Sequence, residues 1–321
     1  EVYFKRLFLK IISSINLAEV EGLLYGSLFD DCPDVLDWVA KLVPIIGNSA
    51  ETMRLAKDFS FFALLDSLNI PHPEVQINFP DNPEHWFSKK IGGCGGVHIQ
   101  PADLETASDF NITYYQEKLA GRPVSMLFVA DGNAAHLIGF NQQLTAPTKN
   151  LPCRYSGAVS NIALQPTVRK KFEQAALRLT EALALRGICS LDAIVVKDRT
   201  GDEDVRILEL NPRLSATFNL YENLLPLHLQ GCVGHSPNIS IETNSSHAQL
   251  ILYADEALVI PEHFVWPSWA SDIPTVESDL SGVKISQHMP ICSVLASAES
   301  VELANALLLQ RAGKLTEMLK N

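Results

Sequence analysis

Between Val205 and Tyr221 the sequence reads VRILELNPRLSATFNLY, and side chains able to grip a metal ion crowd together there. Val205, Ile207, Leu208 and Leu210 form an apolar run that predicts a buried strand. Glu209 and Asn211 leave that run two residues apart. On an extended strand they share a face, so a carboxylate and an amide oxygen stand side by side. Pro212 stops ladder pairing, and Arg213 sets a fixed positive charge beside the two oxygens. Upstream, Ile188 to Val196 predicts a second strand with Asp192 at its centre. A carboxylate there is costly to bury unless a cation or partner compensates it. A hairpin of the two strands would put Asp192 across from Glu209. Oxygens of Asp, Glu and Asn converging on one point suit Mg²⁺, which takes a few carboxylates together with phosphate oxygens. A plain hairpin with a chance acid and a turn-forming Asn-Pro is the competing explanation of these residues alone.

A second stretch, WFSKKIGGCGGVHI from Trp86 to Ile99, predicts a strand ending in Lys89 and Lys90, then a loop holding Gly92, Gly93, Gly95 and Gly96. Such glycines admit positive φ and close backbone approach, so successive N–H groups can turn toward an anion. The pattern is neither a P-loop, whose lysine follows the last glycine, nor a dinucleotide fingerprint, which needs a following helix and an acid about 20 residues on. A flexible glycine hairpin is the bland alternative. Further on, YYQEKLAGRPVS predicts an extended crossing over Gln116 to Leu119 between two lobes, with main-chain donors and acceptors exposed.

The elements that must position these groups follow from the periodicity. In residues 1–50 a short strand (Gly22 to Gly26), a helix from Pro33 and a second short strand (Val43 to Gly47) suggest the edge of a Rossmann-like sheet. A helix is expected over Glu51 to Leu68, stopped by Asn69 to Pro73, and a strand begins at Val75. Val124 to Val129 and Ala135 to Phe140 form a hairpin through Asp131-Gly132. Residues 141–166 read as a long irregular connection containing Arg154 and Gly157. Phe172 to Leu185 is an amphipathic helix closed by Arg186-Gly187. A helix to Leu229, a polar linker over Ser236 to Ser246, a strand over Gln249 to Tyr253, short β runs over 254–295 and a helix from Ser300 to Leu319 complete the chain.

Composition narrows the function classes. At 321 residues and 47% apolar content the chain can fold around a substantial core. A net charge of −12 argues against a nucleic-acid partner, since phosphate backbones require a basic surface. No apolar run approaches the ~20 residues of a membrane span. The chain opens at Glu1 with no leader pattern, which predicts no signal peptide, and its abrupt start suggests a first strand lying upstream. Six scattered cysteines without a CxxC pair fit a reducing cytoplasm, and nine histidines without an HxxxH or HxH pair predict no histidine metal site. The sequons at Asn111, Asn238 and Asn244 are then chance matches.

The order of these pieces resembles the ATP-grasp superfamily of carboxylate–amine ligases over roughly residues 50–230. WFSKKIGGCGGVHI is similar to that family's lysine strand and phosphate-covering loop, YYQEKLAGRPVS to its adenine-facing hinge, and ILELNPR to its metal strand. The branch containing tyramine–glutamate ligase, and the methylotroph proteins of methanofuran- and methanopterin-type cofactor synthesis, is the nearest in pattern. The tail LYADEALVIP…WPSWASDIP…MPICSVLA looks like that branch as well. The resemblance implies an α/β fold with α+β lobes: a partial Rossmann-like unit over 1–50, a small lobe over 51–118, a large lobe over 119–234 and a β-rich extension over 235–321. It implies ATP and Mg²⁺, with Mn²⁺ as an alternative ion. Lys89 and the loop Gly92, Gly93, Gly95, Gly96 would hold phosphates, and Gln116, Glu117 and Leu119 would hold adenine. Asp192, Glu209 and Asn211 would hold the metal. Arg213 would face the γ-phosphate or an acyl-phosphate, and Arg154 a carboxylate. Many relatives carry Asp-Lys where this chain has Asp58-Phe59, and Lys57 lies on the wrong side of Asp58 to stand in for that lysine, which implies reduced ATP affinity or a rearranged contact. The implied activity is amide formation through an acyl-phosphate, with glutamate as one acid, small-molecule acids and amines as partners and a homodimer as a compatible assembly. The alternatives are a catalytically silent ATP-binding regulator or scaffold, and a carboxylase-type relative.

Overall fold

The computed structural model of the chain describes residues 8, 10–102, 113–197, 200–239, 244–274 and 282–320. Its organising element is β5 of an eight-stranded antiparallel sheet. Numbered in chain order, the strands are β1 (Val75–Gln76), β2 (Trp86–Lys90), β3 (Ile99–Pro101), β4 (Thr113–Glu117), β5 (Arg122–Asp131), β6 (Ala135–Thr145) and β7 (Tyr155–Val159), then β8 (Arg186–Lys197), β9 (Glu203–Asn211), β10 (Ser246–Tyr253), β11 (Leu258–Pro261), β12 (Ala270–Ser271), β13 (Gly282–Ile285) and β14 (Pro290–Ala298). The helices are α1 (Pro33–Val39), α2 (Ala50–Lys57), α3 (Ser60–Ser67), α4 (Pro166–Leu183), α5 (Leu224–Cys232) and α6 (Val301–Lys320).

The large sheet runs β12-β14-β10-β7-β6-β5-β8-β9, and a small antiparallel sheet runs β1-β4-β2-β3. Every residue of β5 from Val124 to Asp131 is buried, which a strand achieves only when both faces of its sheet are covered. Val124, Met126 and Phe128 pack with Phe172, Ala176 and Leu179 of α4, while Leu127 and Val129 point the other way, against Leu220, Tyr221 and Leu224. Burying Phe128 or Phe172 completely contributes about 1.5–3 kcal/mol each. Tyr114 of β4 and Phe61, Phe62 and Leu65 of α3 belong to the same cluster, so the small sheet is tied to the large one by packing.

Several elements depart from their expected form. The helix foreseen over Glu51 to Leu68 is two helices, because Asp58 is extended (φ −96°, ψ 161°) and its carboxylate accepts the Ser60 N–H at 2.9 Å. The two N-terminal strands shrink to one parallel bridge, Leu23 to Ile45, flanking α1; Pro44 has no N–H with which to extend a ladder. The connection expected over 141–166 contains the end of β6 and all of β7. Its small residues suit a strand wedged between β6 and β10, where a Cβ on Gly157 would lie 1.9 Å from the Gln249 carbonyl oxygen. α4 ends earlier than expected, at left-handed Ala184, and Arg186 already opens β8. The C-terminal extension is built into the large sheet: β10 pairs with β7 and β14, and Ala304, Leu308 and Leu315 of α6 pack on Ala248 and Val294. Among the described residues no helix is long and apolar enough to cross a membrane.

Candidate active site

The β8–β9 hairpin forms in the expected register. Asp192 pairs with Glu209 and Ser190 with Asn211, and a bulge follows Asp192. The Asn211 Nδ2 donates to Asp192 Oδ2 at 3.1 Å, which leaves its Oδ1 facing the opposite side. That oxygen accepts from Lys57 Nζ at 2.7 Å and from Arg213 Nη2 at 2.9 Å. Lys57 Nζ also contacts Glu209 Oε1 and lies 3.4 Å from Asp30 Oδ2.

The sequence sets Lys57 aside because it lies on the wrong side of Asp58, although its position carries a signal. It follows Met53 by four residues and Ala50 by seven, and all three are buried on one stripe of α2. A lysine in register with an apolar stripe is carried inward by its helix, here toward the end of β9. Asp30 is the second unforeseen member. It is fully buried and receives Arg213 Nε at 2.9 Å and Nη2 at 2.5 Å, a two-pronged pairing across 183 residues. Nearby, Asn48 Nδ2 donates to the carbonyls of Arg186 (2.9 Å) and Pro212 (3.0 Å), so the N-terminal unit fixes the turn that aims Arg213.

The two facing carboxylates titrate apart. Loss of solvent, and then the charge of Glu209, push Asp192 up to about 6, despite Lys57 and a hydrogen bond from Gln143. Burial would raise Glu209 too, but the Lys57 ammonium and then Lys89 outweigh it and its pKa is lowered. Two carboxylates and one amide oxygen, two of these oxygens already turned to cations, are a donor set that Mg²⁺ accepts. Among the described residues no three His, Cys, Asp or Glu side chains form a group that could hold a metal ion.

Lys89 is buried, sits across from Tyr114 in the β2–β4 register and donates to Gln116 Oε1 at 3.1 Å. Burial opposes its charge, but Tyr114 and Glu209 prevail and its pKa is raised. Gln116 Nε2 is then a buried donor with no partner among the described residues. A purine ring nitrogen would satisfy it, so this atom fits the adenine expectation. Glu117 accepts the Glu74 N–H at 3.3 Å, and Leu119 is half-buried.

The glycine loop lies down on the site. Gly92, Gly95 and Gly96 take positive φ (77°, 64° and 71°), and the Gly95 carbonyl accepts the Tyr155 N–H at 3.0 Å. Gly93 makes room for His98, whose ring occupies the place of a Cβ. Burial and then Lys89 hold the His98 pKa down at about 4, so the ring is neutral at pH 7. A cavity of about 20 Å³, room for one water, lies among Lys57, Asp58, Gly92, Gly93, His98 and Glu209. At Gly96 a Cβ would fall 1.9 Å from the Cys153 carbonyl oxygen. Gly96→Ala is therefore expected to hold the loop off this seat and lower turnover about 10²-fold, the scale of a lost anion-stabilising donor. Stopped-flow phosphate release would measure it, and a variant as fast as the parent would show that the seated loop is not needed.

Arg154, expected to face a substrate carboxylate, is held within the protein by main chain and an aromatic ring. Its Nε donates to Ala146 O at 2.9 Å, its Nη1 to His288 O at 3.2 Å, and its guanidinium stacks 3.9 Å over the Tyr253 ring. Those contacts pin the C-terminal extension to the β6–β7 connection. The structure thus gathers Asp192, Glu209, Asn211 and Arg213 with Lys57 and Asp30, sets Lys89 and Gln116 on the adjoining sheet, and holds Arg154 against Tyr253 and the carbonyls of Ala146 and His288.

Comparison with solved structures returns the same architecture at low identity. The biotin carboxylase of Campylobacter jejuni, determined as a β-γ-ATP complex, superposes with a TM-score of 0.64 at 15% identity, covering 94% of this chain and 77% of that one. The biotin carboxylase domain of Hydrogenobacter thermophilus 2-oxoglutarate carboxylase, solved with MgADP and bicarbonate, gives 0.71 at 12%, covering 94% and 76%. An L-amino acid ligase from Bacillus licheniformis gives 0.65 at 12%, covering 88% and 77%. No curated protein matches the sequence. The profile of the ATP-grasp domain matches residues 57–217, about half of the chain. With that match over the stretch that carries Lys89, the glycine loop and the β8–β9 hairpin, the chain belongs to the ATP-grasp domain family.

Proposed function

We propose that the protein is an ATP-dependent carboxylate–amine ligase that joins its substrates through an acyl-phosphate. The observation that carries this reading is the facing pair Asp192 and Glu209, closed by Asn211 and bordered by Arg213 and Lys89. A carboxylate approaching the γ-phosphate of ATP brings like charges together. Lys89, the Arg213 guanidinium and the N–H groups of Gly92 to Gly96 are the fixed positive groups that offset this repulsion. Mg²⁺, held by Asp192, Glu209 and Asn211, would neutralise phosphate charge when bound. The glycine loop, seated on Cys153 and Tyr155, keeps water from the acyl-phosphate until the amine attacks. Gln116 Nε2, with Glu117 and Leu119 at the hinge, would hold the base.

The resemblance to the tyramine–glutamate ligase branch makes glutamate the first acid to try, and an amine of one-carbon cofactor synthesis its partner. The scattered thiols support a cytoplasmic setting. The test is release of ADP and phosphate from ATP only when an acid and an amine are both supplied; AMP as product would eliminate the proposal. Since two of the similar structures are biotin carboxylases, bicarbonate belongs among the controls, and dependence on it would favour carboxylation. One observation favours a second reading, nucleotide binding without turnover: an ammonium already sits on the metal-facing oxygens. Tight ADP binding with no turnover across a broad acid and amine screen would support that reading.

A further inference from the structure

We propose that Lys57 is a tethered cation that closes the Glu209–Asn211 oxygen pair to a free divalent ion and releases it only when nucleotide enters. The inference rests on the nucleotide-binding reading above and adds an order of events to it. Lys57 Nζ touches Glu209 Oε1, donates to Asn211 Oδ1 at 2.7 Å, and has Asp30 Oδ2 at 3.4 Å. Three oxygens thus surround the ammonium, two as hydrogen-bond acceptors and the third as an ion-pair partner. The stem lies along the buried stripe of α2 with Met53 and Ala56, so the head is delivered to this point by a rigid helix rather than by a loop.

Glu209 Oε1 and Asn211 Oδ1 are also two of the oxygens that a divalent ion would use. An ammonium and a divalent cation cannot share them, because both are positive and the site is sheltered from water. Binding of the ion requires the ammonium to leave. The local charge count says when that happens. Asp30, Asp192 and Glu209 are matched by Lys57, Lys89 and Arg213 within one cluster. A bare divalent ion would add two uncompensated positive charges to a balanced set. A nucleotide brings its own negative charge, and the cavity shared by Lys57, Gly92, Gly93 and Glu209 gives the ammonium somewhere to turn, toward the phosphates beneath the loop. Metal affinity is then coupled to nucleotide through one side chain, and such coupling acts reciprocally on both ligands.

The experiment uses the full chain and Mn²⁺ as probe, titrated by electron paramagnetic resonance with and without ADP. Without nucleotide, the parent should bind Mn²⁺ weakly, and Lys57→Met and Lys57→Gln about tenfold or more tightly, since each removes a positive charge from the site. Lys57→Arg should behave as the parent does. With ADP present, the parent's Mn²⁺ affinity should rise by a larger factor than that of Lys57→Met. Unchanged or weaker Mn²⁺ binding by the uncharged variants would overturn the proposal. If those variants do not fold, the parent decides: tight Mn²⁺ binding without ADP overturns it, and binding that appears only with ADP supports it. Absence of any ADP binding would sink the nucleotide reading instead, while the Mn²⁺ affinities without ADP still report on Lys57.

Discussion

Asp192→Asn is expected to abolish ATP turnover while making the protein more stable at neutral pH. The two effects share one cause. In the folded chain Asp192 loses solvent and faces Glu209, which lifts its pKa from the ordinary 3.8 to about 6. Between those values the folded state binds the proton and the unfolded state does not, so stability falls as pH rises through that window. Above about pH 6 the penalty is complete, on the order of 1–3 kcal/mol. Asparagine carries no charge to desolvate, and its amide can still meet Asn211 and Gln143 by turning its oxygen to them. The variant should unfold at a higher temperature than the parent at pH 7, and the difference should shrink as pH approaches 4. On the proposed function, turnover should drop about 10³-fold, because the variant would lack one charged oxygen for the metal that neutralises transition-state charge. Melting curves across pH and an ADP-release assay measure both halves. A variant that turns over as fast as the parent, or that melts below the parent at pH 7, would contradict the assignment.

Asp30→Ala should have the larger effect on stability, although Asp30 lies outside the stretch matched by the ATP-grasp domain. Its carboxylate is fully buried and takes two hydrogen bonds from Arg213, which is itself 6% exposed. Removing one partner of such a pair leaves a buried charge without compensation and costs about 3–5 kcal/mol. Arg213 would also lose the fork that aims it past Asn211. We expect kcat to fall by about 10²-fold or more, with the KM for ATP less affected, since in the proposed reaction the guanidinium would face developing charge rather than the base. Asp30→Asn keeps one acceptor oxygen and should fall between. Urea unfolding and steady-state kinetics on both variants provide the measurement. Equal stability of Asp30→Ala and the parent would show that the pairing is incidental.

Neighbouring parts of the chain could be read from residue order, because their interactions are local. The β8–β9 hairpin is one such case: its apolar runs, the two-residue spacing of Glu209 and Asn211, and Pro212 define strand, face and stop, and the Asp192–Glu209 register follows from alternation. The lysine strand and glycine loop were legible for the same reason, since positive φ at Gly92, Gly95 and Gly96 is written into the residue type. So was α6, whose observed span differs from the expected one by a single residue at each end.

What residue order could not supply was which distant groups meet. Asp30 and Arg213 are 183 residues apart, and Lys57 and Glu209 are 152 apart. Nothing in FDDCPD or LAKDF names those partners. They come together because α2 joins the N-terminal core through Ala50 and Met53 and the core under β9 through Ala56, while the N-terminal unit clamps Pro212 through Asn48. Nor does residue order name the partners of Arg154, the Tyr253 ring and two main-chain carbonyls. The residues alone thus determined which oxygens and cations this protein has to offer and on which local faces they stand. The folded chain decided their pairing, because burial is a property of the packed whole, and a charge taken out of water is stable only beside the partner that packing brings to it.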